Sequence, residues 1–79
     1  MLTLKIISPE KVVYEGTVES VTVPGTLGSF QILNNHAPII SSLEKGVVEY
    51  VTKEGKESLS VTGGFVEVKK NEVCVCVEV

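Results

Sequence analysis

Most of this chain alternates apolar and polar residues with a period of two, as in L-T-L-K-I at residues 2–6 and V-C-V-C-V at residues 73–77. That period matches the pleat of a β-strand, whose successive side chains point to opposite faces. Turn signals break it roughly every 8–12 residues, and no long window carries a 3.6-residue period. The pattern predicts a small all-β sandwich or flattened barrel.

In chain order the predicted strands begin with Leu2–Ile6, stopped by a Ser8-Pro9-Glu10 turn in which Ser8 can bond nearby backbone. Val12–Tyr14 follows and is expected to stop at Gly16; Thr17–Val23 is expected to end at Pro24-Gly25. Ser29–Leu33 and Ile39–Leu43 come next, the latter started by Ala37-Pro38, because a residue before proline avoids the helical region. Val47–Thr52 and Glu57–Val61 flank a short glycine-bearing hairpin loop. Thr62-Gly63-Gly64 predicts a bulge or a close backbone approach. Phe65–Val68 and Val73–Val79 close the chain. Phe30 and Phe65 are expected in the core, and Tyr14 and Tyr50 at half-exposed positions.

Length and charge narrow the function. With 79 residues the chain makes one domain, residues 1–79, with room for one core and a shallow docking surface. Seven basic against 10 acidic residues give a net charge of −3, without a basic stripe. Such a surface repels phosphate backbones, so nucleic acid is not an expected partner. No apolar run reaches the roughly 18–20 residues that span a bilayer. The start M-L-T-L-K-I-I does not read as a signal peptide, which points to the cytosol. Cys74 and Cys76 lie on one strand face, badly placed for a disulfide, and are expected as small apolar packing residues in a reducing compartment.

Catalytic parts are missing. His36 has no nucleophile at a local spacing, and Gly63-Gly64 leads into a strand rather than a phosphate-binding helix. No catalytic residue, metal or cofactor is therefore predicted. The stretch Val21–Ile40 holds two of the three prolines, an Asn pair and the only histidine, and is the best candidate recognition edge. His36 either faces a partner or holds its own loop through a backbone hydrogen bond.

On these residues the chain resembles the N-terminal β-sandwich domain of the epsilon-subunit family of F-type ATP synthases. The resemblance rests on Val21-x-Val23-Pro24-Gly25-x-x-Gly28, on Phe30-x-Ile32-Leu33-x-x-His36-Ala37-Pro38 and on Leu43-x-x-Gly46. Val61-x-Gly63-Gly64-Phe65-x-Glu67-Val68 and Asn71-x-Val73-x-Val75 follow in the family's order. Gln31 stands where the family usually has Gly, Asn34-Asn35 where it has Pro-Gly, and Ser29 where an acidic residue is common.

The resemblance implies a ten-stranded sandwich of two antiparallel sheets that forms the foot of the central rotor stalk. It implies docking on the gamma subunit through Ser8, His36 and Ser41, and on the polar loops of the c-ring through Gly28, Ser29 and Phe30. It implies no cofactor, no chemistry of its own, and a peripheral place at the cytoplasmic face of the bacterial inner membrane. Taken as a full subunit, the chain lacks the family's C-terminal helical hairpin and is expected to lack the inhibition that hairpin exerts. The competing reading is a free-standing β-sandwich that binds a small molecule or a carbohydrate.

Overall fold

The computed structural model describes residues 1–78. They form nine strands: β1 Leu2–Ile7, β2 Val12–Val18, β3 Ser20–Gly25, β4 Gly28–Ile32, β5 Ile39–Leu43, β6 Gly46–Thr52, β7 Gly55–Val61, β8 Gly63–Lys69 and β9 Glu72–Glu78. The hydrogen-bonded order is β2-β1-β9-β8-β5-β3-β6-β7, with β4 on the other edge of β3. One layer is β2-β1-β9-β8-β5; the other is β4-β3-β6-β7. The β-sandwich expected from the sequence is therefore present. The implied strand count of ten becomes nine among the described residues, and one ladder, β1 with β9, is parallel.

The layers join at a corner where Gly25 pairs with Leu43. Two backbone bonds stitch it: the Thr26 amide to Ser42 (3.1 Å) and the Glu44 amide to Pro24 (2.9 Å). The open side is closed by Tyr14 of β2 against Tyr50 of β6, ring centroids 4.6 Å apart. Tyr14 lies over Gly16, where an added Cβ would come within 2.8 Å of the tyrosine hydroxyl oxygen. Gly16 does not stop β2 as expected; it pairs with Leu4 inside the strand and leaves space for that ring.

The core follows the period of two. Leu2, Leu4 and Ile6 of β1, Val66 and Val68 of β8, and Val73, Val75 and Val77 of β9 are all buried between the layers. Burial of one such valine contributes roughly 1.5–3 kcal/mol. β9 lies between β1 and β8 and is bonded on both edges, which makes it the centre of its layer.

The close approach expected at Gly63-Gly64 is real. Gly64 has φ +141°, and an added Cβ would run into the Cys76 carbonyl oxygen and lie 2.9 Å from the Val77 Cα. Three expectations fail. Phe65 is 46% exposed, because Val66 and Val68 take the inward phase and push Phe65 outward with Glu67 and Lys69. Tyr50 belongs to the core, since the sandwich closes over it. Cys74 and Cys76 are only half-buried; their three valine neighbours fill the inward face, and the sulfurs look outward.

Candidate docking surface

The β3–β4 hairpin turns at Thr26-Leu27, between the paired residues Gly25 and Gly28. At Gly25 an added Cβ would sit 2.7 Å from the Gly28 carbonyl oxygen and 2.9 Å from the Phe30 ring. Glycine thus lets Phe30 fold back across the hairpin onto the core. Leu27 at the tip is fully exposed, and Ile40 on β5 is 74% exposed. Between them lies an open hollow of about 310 Å³ lined by Gly28, Phe30, Ile39 and Ser41 among others. A second hollow, of about 580 Å³, adjoins it between Pro38, Ile40, Glu67 and Lys69.

Residues 33–38 connect β4 to β5. Asn35 is left-handed, φ 63°, a conformation asparagine tolerates better than most residues. Its amide donates to Asn71 Oδ1 at 2.7 Å, and Asn71 Nδ2 donates back to Asn35 Oδ1 at 3.4 Å. The loop is thereby fastened to the turn between β8 and β9. His36 is half-buried, with Nδ1 2.7 Å from the Ala37 carbonyl oxygen. A carbonyl only accepts, so Nδ1 carries the proton and Nε2 of the neutral ring is free to accept from a partner. The loop-holding alternative for His36 is therefore present, and it leaves one ring nitrogen available.

Ser8 is 7% exposed, and its hydroxyl is committed to its own turn. It donates to the Lys11 carbonyl at 3.1 Å and accepts from the Lys11 amide at 3.3 Å. Ser41 donates to the Ser42 carbonyl at 3.2 Å. The three positions expected to face gamma do not form one cluster. Ser41 pairs across to Val66, which pairs with Val75, which pairs with Ile6; Ser8 lies just beyond, three strand spacings or about 14 Å away. His36 lies at the opposite end of the layer, beside Asn71. The expected c-ring residues do fall together on the hairpin, and Gly28 and Phe30 share a hollow with Ser41.

Ile40 closes the stretch expected as the recognition edge, while sequence reasoning missed Phe65 and Asn71 as parts of this surface. The phase of the pattern carries Ile40 and Phe65, because Ile40 alternates with the inward residues Ile39, Ser41 and Leu43 and Phe65 with Val66 and Val68. The Asn35–Asn71 pair spans 36 positions and has no local signal. Phe65 pairs with Ser42 on β5 and Cys76 on β9, and Cys76 with Ile7 on β1. These four form an outward row beside a second row of Ile40, Glu67, Cys74 and Lys5. The face is broad, shallow and mixed in polarity, as protein-docking surfaces are.

Tyr14 and Tyr50 line an open hollow of about 520 Å³ together with Met1, Thr17 and Glu57. Tyr14 and Tyr50 spend their rings on each other, and burial pushes the Tyr50 hydroxyl above its usual pKa, with Glu57 and Tyr14 adding to the shift. Among the described residues no three His, Cys, Asp or Glu side chains gather into a metal cluster. No helix among them is long and apolar enough to cross a membrane.

The sequence profile of the "ATP synthase, Delta/Epsilon chain, beta-sandwich domain" matches residues 1–79. The chain belongs to that family. An ATP synthase epsilon chain from Leptospira borgpetersenii is 49% identical over 74 residues, covering 94% of this chain and 58% of the relative. One from Synechocystis is 42% identical over 76 residues, covering 96% and 56%. This chain thus spans somewhat more than half the length of the relatives it matches.

Two solved structures share the fold at 20% identity. One is the Euglena gracilis mitochondrial ATP synthase in an assembly with its c-ring, TM-score 0.89, covering 96% of this chain and 49% of that chain. The other is the central stalk and c-ring of the Tetrahymena thermophila enzyme, TM-score 0.82, covering 99% and 63%. The family's β-sandwich domain is the fold described above.

Proposed function

We propose that this β-sandwich is a non-catalytic part of the central rotor stalk of an F-type proton-transporting ATP synthase. It docks on the gamma subunit through the face carrying Ser8, His36 and Ser41, and on the polar loops of the c-ring through Gly28, Ser29 and Phe30. It transmits rotation between proton flow and the catalytic head, at the cytoplasmic face of a bacterial inner membrane. The observation that carries this reading is the family match over residues 1–79.

Because Ser8 spends its hydroxyl on its own turn, it contributes to docking through shape, while His36 offers Nε2 as an acceptor. The carbohydrate-binding alternative would use the hollow beside Tyr14 and Tyr50, whose rings are tilted against each other rather than laid open as one platform. The test is co-purification of the tagged chain with a bacterial gamma subunit, followed by addition of the c-ring. A 1:1 complex with gamma is expected; no retention of gamma at micromolar concentration rejects the reading. The β-sandwich alone, added to a catalytic head, is expected neither to hydrolyse ATP nor to restrain hydrolysis.

A further inference from the structure

Cys74 and Cys76 carry free thiols whose sulfurs lie 4.0 Å apart on the outward face of β9. We propose that this pair is a bidentate site for a soft, thiophilic metal ion, specifically cuprous copper held by two thiolates. Three observations on the strand carry this. The pleat places residues i and i+2 on one face, so both sulfurs point the same way. Val73, Val75 and Val77 are buried on the other face at 2%, 0% and 2% exposure, so the strand cannot roll over. The ladders to β1 and β8 hold it on both edges.

The separation suits an ion better than a disulfide. Bonds of about 2.3 Å to a metal put two sulfurs about 3.8 Å apart at a tetrahedral angle and about 4.6 Å apart when collinear. The observed 4.0 Å lies toward the bent end of that interval, so the sulfurs part by about 0.6 Å, a small rotation of two side chains, to reach the collinear arrangement a two-coordinate cuprous ion prefers. Two residues of extended strand span about 6.6 Å, at the far end of the about 4.4–6.8 Å between Cα atoms that disulfides take, and their Cβ bonds run side by side rather than toward each other, which disfavours the bond. The ladders that hold β9 on both edges keep the two thiols side by side as a chelate.

Ligand type selects the metal. Thiolate pairs favour cuprous copper, whereas structural zinc requires four ligands. Opposite Cys74 stand Lys5 on β1 and Glu67 on β8; beyond Lys5 lies Glu15 on β2, and beyond Glu67 lies the apolar Ile40 on β5. Lys5 stands directly opposite, and Lys69 and Glu72 line the same hollow as Cys74; the two cations offset part of the charge of a bis-thiolate complex. The step balances as one cuprous ion plus two thiols giving one anionic bis-thiolate complex and two protons, with no change of oxidation state.

The test is anaerobic titration of the reduced 79-residue chain with cuprous ion against a chromogenic cuprous chelator, with pH-stat detection. One ion per chain, two protons released per ion and loss of both free thiols are expected. Cys74→Ser and Cys76→Ser should each weaken binding by about 100-fold or more, since a direct ligand outweighs the 10–100-fold worth of an outer-shell partner. No uptake in competition, one ion per two chains, undiminished binding by the double serine variant, or preference for Zn²⁺ would each overturn the assignment. Proton release is read on the unaltered protein, so it decides the matter even if a serine variant fails to fold.

Discussion

The centre of the β1-β9-β8 layer and the loop at residues 33–38 divide the work of the domain. In the first, alternating valines and leucines are buried on one face and bonded on both edges. In the second, Leu33, Asn34, Asn35, Ala37 and Pro38 are exposed and His36 is half-buried, and the chain is held by a few polar contacts. Stability concentrates where burial and ladders coincide, and local opening is cheapest where they do not. A recognition loop on such a scaffold can change its surface without threatening the fold. The contrast is quantitative, so substitutions in the two regions should differ in size and in kind.

The largest effect is expected at Gly64. Gly64→Ala forces a side chain into positive φ, costing about 1–3 kcal/mol, and drives Cβ into the backbone of β9, adding about 1–3 kcal/mol of overpacking. Together these rival the lower end of the about 4–12 kcal/mol that a domain this size has available. Urea unfolding should show a midpoint shift larger than for any loop substitution. A variant as stable as the parent would mean that β8 and β9 can separate, and the centre is less rigid than described.

Val75→Ala comes next. Val75 is fully buried, and loss of its two methyl groups with incomplete collapse of the space should cost about 2–3 kcal/mol. Binding to a partner, corrected for the folded fraction, should be unchanged. A change in affinity without loss of stability would break the proposed division between scaffold and surface.

Asn71→Ala sharpens the comparison from the other side. It removes the side chain that accepts from the Asn35 amide and donates back to its carboxamide. The expected loss is about 0.5–1.5 kcal/mol, with faster amide hydrogen exchange confined to the loop. Asn71→Asp keeps the acceptor at the shorter contact and should retain most of the protection. Equal acceleration of exchange across β8 and β9 would show that the loop and the sheet open together.

How much of this was legible in the sequence follows the same division. The period of two placed nearly every strand, and β5 lies where the proline and the apolar residues put it, at Ile39–Leu43. Phase was also legible in principle: Phe65 is outward because Val66 and Val68 are inward, yet treating aromatic character as core obscured this. What local pattern cannot hold is pairing at a distance. The Gly25–Leu43 corner, the Tyr14–Tyr50 closure and the Asn35–Asn71 clasp each join segments brought together only by the fold. The parallel pairing of β1 with β9 belongs to the same class. For the candidate surface, sequence motifs located the hairpin and the His36 loop, but not that Ser8 is committed to its own turn or that Ser8, His36 and Ser41 are spread apart.

The smallest effect on the fold, and the most informative on function, is expected at His36. Among the described residues its only side-chain bond runs from Nδ1 to the carbonyl of the next residue, a contact that joins no two elements. Removing it should cost the fold no more than the about 0.5 kcal/mol typical of surface substitutions. Docking is a different matter, because Nε2 is the free acceptor on the proposed gamma-facing edge. Burying that edge against a partner donor should make His36→Ala weaken binding by about 1 kcal/mol, the worth of one ordinary hydrogen bond, or about fivefold in Kd. His36→Gln, which offers an acceptor oxygen on a similar reach, should recover part of the loss. Melting and gamma binding are to be measured on the same samples of all three proteins. Reduced affinity at unchanged melting temperature, partly rescued by glutamine, is the expected pattern. A melting temperature that falls while the affinity of the folded fraction stays constant would return His36 to a purely structural role and move the docking edge elsewhere on the sandwich.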